Sequence, residues 1–185
     1  MYRKVILAAS ALAFATSAHA ATETGPYVGA AVTVDSVNID QPGIDSVGST
    51  GVGASAFAGY NVALGNGLFV APEANIDLNT ADAHLTNGVD TLRYRARWGW
   101  GVGARAGYDI SDSTAAYVRA GYAREQIRTT VTGLSDKTWL DGVRVGGGLE
   151  TKVAPHVKVR AEYNYVNYDK GVSNTQGLLG LVYGF

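Results

Sequence analysis

The stretch Arg93-Tyr94-Arg95-Ala96-Arg97-Trp98-Gly99-Trp100-Gly101-Val102-Gly103-Ala104-Arg105-Ala106-Gly107-Tyr108-Asp109-Ile110 decides the fold. Tyr94, Ala96, Trp98, Trp100, Val102, Ala104, Ala106, Tyr108 and Ile110 share one parity. Arg93, Arg95, Arg97, Gly99, Gly101, Gly103, Arg105, Gly107 and Asp109 share the other. Successive side chains of a strand point to opposite faces, so one face is wholly apolar and the other carries only charge and glycine. A water-soluble barrel would put grease inside and charge outside. Glycines beside arginines suit a narrow interior, where small residues make room for long ones. The stretch therefore predicts a strand with its apolar face turned to lipid and its charges turned inward, as in a transmembrane β-barrel.

Parity alone does not say which face is inside; the two ends of the chain supply that choice. Leu179-Gly180-Leu181-Val182-Tyr183-Gly184-Phe185 places a large apolar or aromatic group at every second position up to the last residue. At the other end, Met1-Tyr2-Arg3-Lys4 is a basic head, Val5 through Thr16 is mostly apolar, and Ala18-His19-Ala20 fits the small-x-small cleavage rule. Residues 1–20 are expected to be a cleaved signal peptide, and 21–185 a single barrel domain. The apolar run is too short for a spanning helix, which needs about 20 residues. Only helices and closed sheets satisfy their backbone groups in lipid, so a membrane form of this chain must be a barrel.

The full chain has 185 residues and a formal net charge of −1, which becomes two units more negative once Arg3 and Lys4 leave with the leader. A mildly acidic chain argues against nucleic acid as a partner. There is no cysteine, so no disulfide staples the fold.

Other segments share the alternation. Leu68, Val70, Pro72, Ala74, Ile76 and Leu78 oppose Phe69, Ala71, Glu73, Asn75 and Asp77; Val157, Val159, Ala161, Tyr163 and Tyr165 oppose Lys158, Arg160, Glu162 and Asn164. The pattern predicts eight strands, roughly 26–36, 51–64, 68–79, 93–110, 115–129, 139–152, 156–169 and 175–185, forming an all-β, antiparallel, up-and-down barrel. Gly65-Asn66-Gly67, Ser111-Asp112-Ser113 and Ala154-Pro155 mark short turns. Segments 37–50, 80–92, 130–138 and 170–174 read as longer polar loops on the opposite, extracellular side. Pro72 lacks a ladder donor and predicts a local bulge. The first strand, Tyr27 to Val34, is small or apolar on both faces and has no legible register. Trp98 and Tyr108 lie ten residues apart, about 25 Å along a tilted strand, which is the height of the apolar band. They are expected at the two interfacial girdles, with Tyr60, Tyr183 and Phe185 at the periplasmic one.

Arg105-Ala106-Gly107-Tyr108 and Arg119-Ala120-Gly121-Tyr122 repeat one motif, and Arg160-Ala161-Glu162-Tyr163, Trp139 and the strand ending at Phe185 extend it. With these residues the chain resembles the small outer-membrane β-barrel family of Gram-negative bacteria, of the OmpA transmembrane-domain, OmpX-like and opacity-type porin kind. The resemblance spans essentially all of 21–185 and is specific for fold and address, not for activity. It implies an outer-membrane protein surrounded by lipid and lipopolysaccharide. It also implies that Tyr183 and Phe185 are read by the barrel assembly machinery; in contrast to full-length OmpA, no peptidoglycan-binding domain is expected after the barrel.

The inward charges are the nearest thing to a site: Glu73, Arg105, Arg119, Glu125, Arg144, Glu150, Lys158, Arg160 and Glu162. A hairpin centred on Asp112 sets Arg105 opposite Arg119, with Glu73 in reach of Arg105. One register of the next hairpin sets Arg119 opposite Glu150 and Glu125 opposite Arg144. Buried charges must be paired or they are costly. A network of salt bridges filling the lumen is expected, since eight strands leave room only for side chains. An ion pathway is the alternative reading.

Three functions are open. The first is a non-catalytic envelope protein acting in adhesion or envelope integrity through loops 37–50, 80–92 and 130–138, toward a host or surface ligand that the residues do not name. The second is a narrow pore for small solutes. The third is a lipid A deacylase or acyltransferase, which would need a nucleophile beside a histidine base; after the leader only His84 and His156 remain. Gly101-Val102-Gly103 lacks a following helix and is no dinucleotide motif. Asp77, Asp82 and Asp90 lack calcium-loop spacing. No cofactor, metal or catalytic residue is expected.

Overall fold

The computed structural model describes the backbone of residues 22–41, 44–79, 82–87, 90–131 and 134–185, and the side chains of 22–38, 50–79, 98–126, 138–169 and 171–185. The expected signal peptide lies outside these residues, as do the side chains of His84, Asp82, Asp90, Arg93, Arg95 and Arg97.

The strands are β1 (Gly25–Gln41), β2 (Ile44–Gly65), β3 (Leu68–Asn79), β4 (Asp82–Asn87), β5 (Asp90–Asp109), β6 (Thr114–Val131), β7 (Leu134–Ala154), β8 (Val157–Tyr168) and β9 (Val172–Gly184). Neighbours pair antiparallel in the order β3-β2-β1-β9-β8-β7-β6-β5-β4, and β3 also pairs with β5, which closes the ring. The short β4 continues the line of β3 upward along β5, so the wall is an eight-strand, up-and-down barrel. Closure removes the free edges that an open sheet would offer in lipid.

The lower turns follow their residues. At Gly65-Asn66-Gly67 all three φ angles are positive, at 89°, 52° and 78°, which a Gly-Asn-Gly run adopts with little strain. At the second turn the Ser111 hydroxyl accepts from the Thr114 backbone N–H at 3.1 Å.

The upper connections differ from expectation. Segments 37–50, 80–92 and 130–138 are not loops for most of their length; the strands run on through them as paired hairpins, for example Val37 opposite Ser49 and Thr130 opposite Ser135. Only the fourth connection is compact, a single 3-10 turn over Asp169–Gly171. Polar composition misled the reading: an antiparallel ladder needs only backbone groups, and a hairpin standing in water has no reason to alternate apolar with polar. Pro72 also differs, because no register shift occurs there. The β3–β5 ladder is continuous through Pro72 opposite Ala104, and the β2–β3 ladder omits the rungs between Gly59–Glu73 and Val62–Val70. The bulge of that pair lies instead at Ala63/Gly65, beside the turn.

The apolar face is outside. Val32, Val52, Leu68, Ile76, Val118, Val143, Leu149, Tyr163, Leu179 and Leu181 are all exposed on the outer wall, while Glu73, Arg105, Arg119, Glu150, Arg160 and Glu162 are buried in the lumen. The first strand, illegible in sequence, sends Tyr27, Ala31, Thr33 and Asp35 inward. Large inward groups sit across from glycine: Tyr27 from Gly59, Phe57 from Gly29, Phe69 from Gly107, and Tyr117 from Gly148. A Cβ on any of these glycines would strike the ring it faces.

Candidate functional site

The lumen charges form two tiers. In the middle tier Glu73 of β3 meets three guanidinium groups: Arg105 at 3.3 Å, Arg119 at 3.0 Å and Arg160 at 2.8 Å. Glu150 of β7 meets Arg105 at 2.6 Å and Arg160 at 2.7 Å, with Lys158 farther off at 3.8 Å. Glu162 of β8 takes Arg119 at 3.1 Å. Two tyrosine hydroxyls complete the carboxylates, Tyr27 donating to Glu73 at 2.8 Å and Tyr117 to Glu162 at 2.6 Å. The rings of Tyr27 and Tyr117 also flank Arg105, whose guanidinium carbon lies 4.9 and 4.7 Å from their centroids.

The upper tier is acidic. Arg144 meets Asp77 at 2.7 Å, and Glu125 accepts from the Tyr168 hydroxyl. Asp35 is held by Asn174 at 3.1 Å, Gln176 at 3.0 Å and Thr33 at 2.8 Å. A cavity of about 10 Å³ lies among Asp35, Asp77, Glu125, Arg144 and Asn174, room for about one water.

The register of the β5–β6 hairpin sets Arg105 opposite Arg119. That of the β6–β7 hairpin is not the expected one. Arg119 lies opposite Gly146, Gly121 opposite Arg144, and Glu125 opposite Leu140, a slip of four positions. Arg119 therefore does not meet Glu150, and Arg144 turns to Asp77. In a lumen this narrow a long guanidinium reaches across the barrel, so its carboxylate need not stand on the adjacent strand. Asp77, which the sequence reading left out of its inward charges, is part of this lumen network. The sequence reading also missed Tyr27, Tyr117, Asp35 and Asn164, although Asn164 and Asp77 share the inward parity of Arg160 and Glu73.

The lower mouth is crossed by the segment before β1. Thr22, itself buried, donates its hydroxyl to Asp109 of β5 at 2.8 Å. Lys152 of β7 holds Glu23 at 3.0 Å, and Thr24 accepts from the Ala63 N–H of β2 at 3.0 Å. Residues 22–24 thus form a strap tied to strands on both sides of the opening. Above it is a cavity of about 40 Å³ lined by Tyr27, Asn61, Lys152, Lys158 and Val182. Lys152 holds the Glu23 carboxyl below the usual carboxylate range. His156 engages the Gly184 carbonyl at 3.2 Å rather than a hydroxyl.

Of the aromatics expected at the interfaces, Tyr60, Trp98, Tyr108, Tyr183 and Phe185 are all exposed on the outer wall. Tyr183 and Phe185 pack edge to face at 5.2 Å. Among the described residues no group of three metal-ligating side chains converges.

Comparison with known proteins agrees with this architecture. The model of the outer membrane protein beta-barrel domain family matches residues 6–185. The 25 kDa outer-membrane immunogenic protein of Brucella ovis is 28% identical over 133 residues, 71% of this chain and 63% of that protein, so the match spans less than two thirds of the relative. The Yersinia pestis attachment invasion locus protein Ail superposes with a TM-score of 0.61 at 17% identity, covering 89% of this chain and all of that one. Neisserial surface protein A gives a TM-score of 0.62 at 19% identity, covering 87% of this chain and 97% of that one. At such identities the two structures share the fold alone.

Proposed function

The chain belongs to the outer membrane protein beta-barrel domain family and resides in the bacterial outer membrane, and on that basis we propose that it is a non-catalytic scaffold whose extended hairpins meet a surface outside the cell. The observation that carries this reading is the middle tier of the lumen: three glutamates and three arginines ion-paired to one another across the barrel axis. Such a layer fills the bore and leaves the hairpins as the exposed working parts. Loops on a rigid scaffold are the usual carriers of recognition. The named relatives point the same way, one an attachment invasion locus protein, one a surface protein and one an immunogenic protein. The wall would be bathed in outer-membrane lipid and lipopolysaccharide, and the exposed Tyr183 and Phe185 would serve as the signal for barrel assembly.

A narrow pore is the second reading, favoured by the cavities above and below the middle tier. Planar-bilayer recording on the refolded chain separates the two. The scaffold gives no steady conductance, and a constant open level would replace it with the pore. Cells expressing variants shortened at 37–50, 80–92 or 130–138 should lose adhesion or serum survival while still inserting the barrel; unchanged behaviour in all three would remove the surface role. The enzyme reading requires a histidine beside a nucleophile. It would return if lipid A from expressing cells changed mass in a manner abolished by His84→Ala.

A further inference from the structure

On the outer wall, among the described side chains, only two strand positions are charged. These are Arg124 on β6 and Asp141 on β7, directly opposite one another and bridged at 3.2 Å. All three tryptophans of the chain surround them. Trp139 lies under the Arg124 guanidinium at 5.2 Å and meets Trp98 edge to face at 5.1 Å; Trp100 packs on Tyr122 at 5.7 Å. The Tyr122 hydroxyl donates to Asp141. Gln126 adds an amide between Trp98 and Trp139.

The position of this patch is fixed by the strands. Trp98 stands ten residues above Tyr108 on β5, and Arg124 ten above Thr114 on β6. It is therefore one apolar band, about 25 Å, from the turn side and at the foot of the long hairpins. A charge on the lipid face is most costly at mid-bilayer and costs little at the interface, so the pair belongs at headgroup depth. Tryptophan is enriched at that same depth. The hairpin side of such barrels is the extracellular side, which places the patch in the outer leaflet.

We propose that Arg124, with Trp98, Trp139 and Gln126, binds a phosphate group on the glycolipid of the outer leaflet. Asp141 comes nearest to the guanidinium at Nε. A guanidinium offers a fork of donors that matches phosphate in two-point contact. The indole beneath it shields the cation from lipid while leaving its edge open. The Arg124 and Asp141 side chains are 40% and 43% exposed, so a headgroup has access without displacing the wall. Asp141 is a tether that holds Arg124 in place and also repels the incoming anion. This inference rests on the lipid-facing reading of the wall and not on what the hairpins recognise.

The three tryptophans make the test direct, because all intrinsic indole emission comes from the patch. Chain beginning at Ala21 is refolded in phosphate-free maltoside micelles and titrated with bis-phosphorylated lipid A, with the same lipid stripped of phosphate, and with phosphatidylglycerol. Saturable change in emission with the phosphorylated glycolipid, at least tenfold weaker with the stripped lipid and with phosphatidylglycerol, is expected. Arg124→Gln should weaken binding about tenfold, and Asp141→Asn should strengthen it several-fold, the two variants having the same heat-dependent gel mobility as the parent. A pair that merely braces the wall would respond alike to both changes, and that result overturns the proposal. Equal binding of phosphatidylglycerol overturns the assignment to the glycolipid. Loss of all lipid binding together with a water-exposed emission spectrum in the parent would instead remove the lipid-facing wall itself.

Discussion

Glu73 holds the middle of the lumen together because one carboxylate faces three guanidinium groups. Replacing it leaves cations buried without compensation, and breaking a buried pair from one side costs about 3–5 kcal/mol. Glu73→Ala should lower the unfolding free energy in urea by that order, read from tryptophan emission in vesicles. Gly59 makes a steric counterpart to this electrostatic constraint. A methyl there would meet the Tyr27 ring and the Pro72 carbonyl at once, and overpacking of this kind costs about 1–3 kcal/mol. Gly59→Ala should destabilise accordingly, and Gly59→Ala combined with Tyr27→Phe should recover part of the loss because the clash includes the Tyr27 hydroxyl. Glu23 titrates below its ordinary range because Lys152 sits beside it. A depressed carboxylate stabilises the fold above the unfolded pKa, and that contribution disappears as pH falls through the folded one. Carboxyl NMR of Glu23 should show the lowered midpoint, and Lys152→Ala should move it up toward the usual value.

At the scale of the element, the β6–β7 hairpin is the informative case. Matching opposite charges across adjacent strands sets Arg119 against Glu150, four positions away from the register that forms. The tip of the hairpin, where Val131 pairs with Leu134, fixes the register, and the side chains then find partners across the bore. Nitroxides at Ala120 and Val145, directly opposite on the outer wall, should couple strongly in spin-resonance spectra. A label at Leu149 instead of Val145 lies about 13 Å farther along the strand and should couple weakly; the reverse order would restore the charge-matched register. The same lesson applies to β1. Its apolar and small residues on both faces give no period, yet its pairing with β2 and β9 places Tyr27 and Asp35 in the lumen.

For the whole molecule, two independent devices cross the bore. The ion-paired tier spans the middle, and the strap of Thr22–Thr24 crosses the lower mouth through Asp109, Lys152 and Ala63. The chain lacks cysteine, so a single reporter is clean. Val182→Cys, 3% exposed and lining the lower cavity, should react slowly with a charged thiol reagent. Removing Thr22–Thr24 should raise that rate at least tenfold with the barrel still folded. Equal rates would mean that the strap does not govern access.

The sequence by itself determined the inversion of the wall, the number of barrel strands, the short lower turns and the parity of every charge named as inward. The parity is a local property, since strand side chains alternate with a period of two whatever the neighbours do; the choice of the outer face came instead from the basic, apolar head and the aromatic terminal strand. It did not determine how far the hairpins extend above the bilayer, because a ladder in water leaves no periodic mark. Nor did it determine which arginine meets which carboxylate, that three residues before β1 cross the mouth, or that three tryptophans from β5 and β7 gather around Arg124 of β6. These depend on closing the ring: only a closed barrel brings β3 against β5 and sets Glu73 facing Arg160, and distances across the bore are not encoded in any single strand.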